Sequence, residues 1–572
     1  MKRKLKRLAV LCLSLVLTLC LALPVWAEPA QTYTITPDQT GSITLTLGDG
    51  ETQPVTATAY KVIDVDYNYA SADGGYEAPS NPEFYWVTQV QTWVRDSYPG
   101  YIIQNSPSTN GAVNENFFTL PAENLKTFTD SMAVAIRNGT ITGLDTPKTA
   151  SDNTSITLSG LKMGSYLILL EGGTKIYAPV FVSILPKWNG SNWVLEDLTE
   201  NVNTKAQSLS LIKTVFDKST DLEPIDYEAG GSEQAQVAIG DTVTYMLVAD
   251  VPSYPANATA TGYQISDSLP SGMELNTDSI KVYGIDATTA HISAGTLLNN
   301  DSNTTYYTKT ANRPIAGNPA VSFNLDFDYD SIKSYSKIRV VYTATADASI
   351  KVIGQNDNSA GNQNTAYLDY NNNPYELLNP SWETAQDTAT VYTYGIDISK
   401  VDADKVSTYL PGATFKLSTS ADATKEEDFI KFKSDGNGTY HKDATNGSTD
   451  LTVGDKANDD TSRLGKLTLN GLDVGTYYLY ETKAPAGYVK LSTPVLVTIA
   501  DDGTGTGNTA LDGIVNDGST GYVSTLVKNH TGFTLPSTGG IGTVLFTTFG
   551  IVLMGGGFAL LMVYLRRRNR AK

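Results

Sequence analysis

The sequence predicts an all-β protein: tandem immunoglobulin-like β-sandwich domains, the first with helical insertions, plus a C-terminal transmembrane helix in the precursor. Three observations predict it. Short alternating runs recur between clusters of Gly, Pro, Asn and Asp, as sandwich strands do; Ser42 to Leu47, Val243 to Val248, Lys337 to Thr343 and Val495 to Ile499 are examples. Helical periodicity is scarce and confined to the first third of the chain. The two ends have a different character, and read as targeting segments outside the fold.

Met1 to Ala27 opens with Lys2, Arg3, Lys4, Lys6 and Arg7, continues with the apolar stretch Leu8 to Leu23, and closes on Val25-Trp26-Ala27. This order predicts a signal peptide that is removed on export. Both cysteines, Cys12 and Cys20, leave with it, so a large exported chain must be stabilised without disulfides. The expected mature chain, Glu28 to Thr538, has 511 residues, enough for three or four domains. The two ends remove ten basic residues and no acidic ones, which leaves 31 basic against 60 acidic residues and a net charge of −29. So acidic a chain repels nucleic acid and anionic lipid, and neither is expected as a partner.

Two helices are expected in the first third. Glu83 to Ser97 places Trp86, Val90, Trp93 and Val94 on one face. Ala122 to Arg137 carries Leu125, Phe128, Met132, Ala135 and Ile136, with Pro121 before it and Gly139 after it as start and stop signals. Two boundaries follow from fresh strand starts after a polar stretch at Asn201 to Ser208 and after Tyr392 to Gly395. The expected division is 1–27 signal peptide, 28–205 first domain, 206–393 middle domain, 394–532 third domain, and 533–572 a terminal signal.

That signal begins with Leu535-Pro536-Ser537-Thr538-Gly539. About 25 uncharged residues follow, Ile541 to Leu565, then Arg566, Arg567, Arg568, Arg570 and Lys572. The apolar run is long enough to cross a ~30 Å hydrocarbon core, and the basic end stays cytoplasmic. Pro536 keeps Leu535 extended, and Gly539 lets an enzyme approach the backbone. The arrangement resembles the sorting signal of Gram-positive surface proteins. The resemblance implies that a sortase cuts between Thr538 and Gly539 and joins Thr538 to an amine.

A lysine stands inside the first strand of each later domain, at Lys213 and Lys400, and charged lysine is rarely buried uncompensated. In Tyr477 to Tyr488, Leu479 and Glu481 share one strand face, so Glu481 is expected in the core. Burial raises a carboxyl pKa and lowers that of an amine. A neutral amine beside a protonated acid can attack an asparagine side chain and release ammonia. The product is a Lys–Asn isopeptide bond, a covalent staple in place of disulfides.

Lys400-Val401-Asp402, Leu410-Pro411-Gly412-Ala413-Thr414-Phe415-Lys416-Leu417, the Glu481 strand and Val527-Lys528-Asn529 resemble the collagen-adhesin B-type domain of Gram-positive pilins. The resemblance implies Lys400 as nucleophile, Asn529 as acyl partner and Glu481 as catalyst. Gly240 to Tyr245, Ile265 to Gly272 and Gly361 to Leu368 make the middle domain similar to the isopeptide-forming domain of fimbrial shaft proteins. This implies Lys213, the catalyst Asp267 and an asparagine near the last strand. Asn364 opens the alternating run Ala366, Leu368, Tyr370 and is the expected partner, with Asn362 as the alternative. Asp267 also suits a turn cap before Leu269-Pro270. In the first domain Gly164 to Glu171 echoes the glutamate strand weakly, and no bond is expected there.

Tyr177 to Lys187 ends in Leu185-Pro186-Lys187, which resembles the pilin motif of shaft subunits with Leu185 in place of the usual Tyr. The resemblance implies Lys187 as the inter-subunit nucleophile that attacks Thr538 of another subunit. Repetition yields an open head-to-tail filament. The expected function is therefore a structural shaft subunit of a sortase-assembled pilus. The expected partners are a pilin-type sortase, a housekeeping sortase, identical subunits, accessory pilins and peptidoglycan. No cofactor or metal is expected, and no enzymatic activity beyond self-formed isopeptide bonds: His291, His441 and His530 are scattered. A wall-anchored monomeric adhesin or accessory pilin is the alternative, and use of Lys187 discriminates.

Overall fold

The computed structural model describes residues 38–65, 84–106, 109–185, 187–188, 193–194, 198–216, 231–255, 258–287, 295–301, 304–310, 313, 320–356, 358–376, 380–455, 461–503, 511–515, 520–532 and 541–570. Its contacts divide the chain into two compact units. One comprises Met1–Ser208 with Ser253–Thr261 and Asn371–Glu383. The other comprises Leu209–Pro252, Gly262–Tyr370 and Thr384–Lys572.

In the first unit two sheets face each other. One runs Phe84–Trp86, Val55–Val65, Gly164–Gly172, Val180–Ile184, with Lys148–Asp152 also against Val55–Val65. The other sets Thr40–Thr46 between the parallel strand Thr199–Asn203 and the antiparallel strand Ser155–Lys162. Period-two alternation fills the space between them: Ile43, Leu45, Ala57, Ile156, Leu158 and Ile168 are buried in one cluster.

The helix Ala122–Arg137 has the expected bounds, and Gly139 beyond it takes a positive φ of 72°. The other helix is shorter than its periodicity suggests, Thr88–Ser97. Phe84–Trp86 form a strand against Ile63–Val65 instead. Three successive aromatics suit a half-buried edge strand better than a helix start. Trp86 is buried there, and its Nε1 donates to the Tyr101 carbonyl at 2.9 Å. Trp93, Tyr98, Tyr101 and Phe117 pack around Phe128, whereas Phe118 is exposed.

The second unit holds two sandwiches. In the middle one, the first sheet runs Leu211–Phe216, Thr242–Asp250, Lys337–Ala346, Lys281–Ile285, Thr296–Leu297. The second sheet runs Gln234–Gln236, Trp382–Tyr392, Asn362–Asn371, Tyr263–Ser268, Phe323–Phe327, Tyr307–Thr310. In the third sandwich, Tyr394–Asp402 lies between Lys466–Leu472 and Tyr522–Asn529, and Thr414–Ser418 and Gly475–Lys483 belong to the facing sheet. Only Thr393 separates the strand ending at Tyr392 from the one starting at Tyr394. Ile353, Tyr392 and Tyr394 join the core cluster of the third sandwich, so the two sandwiches share buried surface. Ile239 donates to the Gly471 carbonyl at 3.0 Å across the same junction. In the glycine-rich run from Asp501, the Asp501 carboxylate accepts from the Gly513 backbone at 2.8 Å and from the Tyr394 hydroxyl at 2.7 Å.

The C-terminal helix, Ile541–Arg570, continues five residues past the expected Leu565 into the arginines. Val544–Arg570 is long and apolar enough to cross a membrane, with a mean hydropathy of 2.1 and none of its residues buried in the protein. Residues 1–27 and the pentapeptide Leu535, Pro536, Ser537, Thr538 and Gly539 lie outside the described residues.

Candidate functional site

The third sandwich brings Lys400, Asn529 and Glu481 together. Lys400 is the inward residue at the end of the alternation Ile396, Ile398, Lys400, and it is fully buried. Its strand runs parallel to Tyr522–Asn529, with Lys400 opposite Val527 and Asp402 opposite Asn529. The two side chains are therefore diagonal neighbours on one sheet. Glu481 reaches them from the facing sheet, on the inward row Tyr477, Leu479, Glu481.

Lys400 Nζ contacts Asn529 Oδ1 directly and stands 3.3 Å from Glu481 Oε1. Asn529 Nδ2 donates to both glutamate oxygens at 3.0 Å and to the Val489 carbonyl at 2.9 Å. The Leu491 amide steadies the glutamate by donating to Oε2 at 2.7 Å. Burial pushes the Lys400 amine below its usual range, against the pull of Glu481. An unprotonated amine is the nucleophilic form. The amine touches the carbonyl end of the amide and the carboxylate holds its nitrogen end, which is the ground-state arrangement for acyl transfer.

The middle sandwich assembles a second cluster across its two sheets. Lys213 comes from the first sheet, between buried Leu211 and Val215. Asp267 and Asn364 come from neighbouring strands of the second, with Asp267 opposite Ala366. All three are fully buried. Lys213 Nζ contacts Asp267 Oδ2 and lies 3.0 Å from the Tyr342 hydroxyl. Asn364 Nδ2 donates to that hydroxyl at 2.7 Å. Burial pushes the Lys213 amine down and the Asp267 carboxyl up, which favours a neutral pair. Asp267 lies within a strand and points into the core, so its side chain does not cap the turn before Leu269.

Asn362, the alternative partner, is occupied elsewhere. Its Nδ2 donates to the Lys351 carbonyl at 2.9 Å and the Val391 carbonyl at 3.2 Å, and its Oδ1 accepts from the Lys351 amide. Tyr342 and Tyr245 are part of the cluster but were not anticipated. The usable signal was the inward phase of the run Lys337 to Thr343, which places a tyrosine among Val340 and Ala344. Asp387, whose carboxylate accepts from the Lys213 amide at 2.7 Å, gave no such signal.

Among the described residues of the first unit no lysine, carboxylate and asparagine gather in this way. Glu171 pairs with Arg137. The buried Glu51 accepts from Thr174 and from the Tyr177 hydroxyl. Lys187 begins the short strand Lys187–Trp188, which pairs with Trp193–Val194, Lys187 opposite Val194. Among the described residues no group of three His, Cys, Asp or Glu side chains gathers to hold a metal.

Residues 395–511 match the prealbumin-like fold domain called SpaA, and residues 527–572 match the LPXTG cell wall anchor motif. The trypsin-resistant surface T6 protein of Streptococcus pyogenes serotype M6 is 25% identical over 489 residues, 77% of this chain and 85% of that protein. The solved T6 backbone pilin of the same serotype, described as a modular three-domain structure, superposes with a TM-score of 0.53 at 19% identity, over 87% of this chain and all of its own. The full-length major pilin SpaD of Corynebacterium diphtheriae gives a TM-score of 0.45 at 18% identity, over 88% of this chain and all of its own.

Proposed function

We propose that this chain, a wall-anchored surface protein of the sortase-assembled pilin type, is the shaft subunit of a covalently polymerised pilus. The single observation that carries the reading is the Lys400–Glu481–Asn529 cluster, in a chain that ends in a wall-anchor motif. In this reading a pilin-type sortase cuts after Thr538 and holds it as an acyl-enzyme. The ε-amine of Lys187 of another subunit takes the acyl group. A housekeeping sortase then joins the completed polymer to peptidoglycan, and accessory pilins decorate it. The protein is structural; its chemistry on itself is the formation of Lys400–Asn529 and Lys213–Asn364 bonds, with Glu481 and Asp267 as catalysts.

The staples and the joint make mechanical sense together. Tension enters a subunit at Lys187 and leaves at Thr538. Residues 28–186, where no staple is expected, fall outside that path. The middle and third sandwiches lie wholly within it. A covalent bridge there replaces strand hydrogen bonds, each of which contributes only about 1 kcal/mol net.

The test is a blot of boiled, detergent-treated cell-wall extract from wild type and Lys187→Ala. A ladder of high-mass bands that collapses to one subunit band in the mutant supports the shaft and its joint. A single band in both sinks the shaft reading and leaves a wall-anchored monomer. A ladder that survives moves the joint to another lysine.

A further inference from the structure

The two clusters differ in what lies between their reacting groups. In the third sandwich the glutamate spans them alone, 3.0 Å from the Asn529 nitrogen and 3.3 Å from the Lys400 amine. Asp267 is one methylene shorter. Its Oδ2 contacts Lys213, while its Oδ1 and Asn364 Oδ1 have no hydrogen-bond partner. A phenol also touches both nitrogens here: Tyr342 Oη lies 3.0 Å from Lys213 Nζ and 2.7 Å from Asn364 Nδ2, and the Asp267 carboxyl interacts with Asn364 and with that hydroxyl.

The fold holds that hydroxyl firmly. Tyr342 is opposite Tyr245 in the ladder, and the rings stack at 5.3 Å and 23°. Phe323 packs edge-on at 5.1 Å, and Tyr342 is fully buried. Lys213 Nζ sits 4.8 Å from the centre of the Tyr245 ring. Burial raises the phenol well above its usual range, so it carries its proton and can pass one on only as it receives another.

We propose that Tyr342 is a catalytic residue of the middle-domain cross-link, relaying a proton from the Lys213 amine to the departing nitrogen of Asn364. This rests on the cross-linking reading above. The neutral Lys213 amine attacks Asn364 Cγ and forms the new C–N bond, while the carbonyl electron pair moves onto Oδ1 and takes the proton of Asp267. Tyr342 Oη accepts one proton from Nζ as it gives its own to Nδ2. The Cγ–Nδ2 bond breaks, ammonia leaves, and the Oδ1 proton returns to Asp267 as the carbonyl re-forms. Tyrosine and aspartate end as they began, and one ammonia is lost. In the third sandwich Glu481 itself contacts both groups.

The experiment is intact-mass and peptide mapping of the mature chain at timed intervals after expression, for wild type and Tyr342→Phe. Each bond registers as the loss of one ammonia. Phe keeps the ring packing and removes only the hydroxyl. We expect the Lys213–Asn364 bond to form at least about tenfold more slowly, while the Lys400–Asn529 bond in the same molecule forms at the wild-type rate. A wild-type rate for the middle bond in Tyr342→Phe overturns the relay. Absence of any Lys213–Asn364 peptide in wild type overturns instead the cross-linking reading on which it rests. If Tyr342→Phe fails to fold, fluorotyrosine placed at 342 decides, since it changes hydroxyl acidity and leaves the packing. A rate that follows the acidity supports the relay; an unchanged rate overturns it.

Discussion

Lys400 and Asn529 lie on adjacent parallel strands, 129 positions apart in sequence and in direct side-chain contact in the core. Parallel first and last strands pulled from opposite ends are loaded in shear. A bond between these two residues hands tension from one strand straight to the other, and everything between them is relieved of load. The same bond closes a very long loop in the unfolded state. Such loop closure is worth about 4–5 kcal/mol in the chain-entropy account. Lys400→Ala is therefore expected to cost the third sandwich at least that much, because it also leaves Glu481 buried beside an unreacted amide. Thermal unfolding and trypsin digestion of the mature chain check this. Unchanged unfolding temperature and resistance would count against the staple.

The middle sandwich offers a choice between two asparagines two residues apart. Asn364 faces the lysine cluster, and Asn362 holds the backbone of Lys351 and Val391. Asn364→Ala should abolish the middle ammonia loss. Asn362→Ala should retain it and instead destabilise the fold by about 1–3 kcal/mol through unsatisfied backbone groups. Peptide mapping with denaturant titration separates these outcomes, and exchanged results would reverse the assignment.

Much of this was legible in the sequence because it rests on period-two alternation. That rule places Lys213, Lys400 and Glu481 inward, and the strands through Ile43, Val243 and Val495 obey it as well. What stayed hidden depends on partners distant in sequence. Phe84 to Trp86 pair as a strand only because Ile63 to Val65 lie alongside. Tyr342 becomes part of a site only once two sheets face each other. Asn364 lies near the last strand, as expected, but not on it. Its strand, Asn362–Asn371, is the penultimate one, and Trp382–Tyr392 follows it.

That order of strands has a mechanical consequence. A Lys213–Asn364 bond shields residues 214–363, but residues 365–392 stay in the load path, 28 residues in all. Single-molecule stretching of the two-sandwich unit should give one limited extension, at most roughly 100 Å at about 3.5 Å per residue. The third sandwich should contribute none of it. Lys213→Ala should lengthen the step severalfold by freeing the whole middle sandwich. A wild-type step already that long would mean that the middle bond is absent.

Glu51 governs how the first sandwich, without a staple among its described residues, responds to acid. It is 8% exposed. Its carboxylate accepts from the Gln53 and Thr174 amides and the Tyr177 hydroxyl. Burial alone would raise this carboxyl, but these bonds outweigh it and hold it below its ordinary 4.5. A carboxyl lowered by folding stabilises the protein above its unfolded value, and that contribution is lost as pH falls through the lowered folded value. Glu51→Gln should therefore destabilise the first sandwich by about 2 kcal/mol near neutral pH, the scale of hydrogen bonds to a charged group. The difference from wild type should shrink as pH drops below the carboxylate range, because wild type then loses the same interactions. Calorimetry of both proteins across that range checks it, and a gap that stays constant with pH would show that Glu51 acts through packing alone.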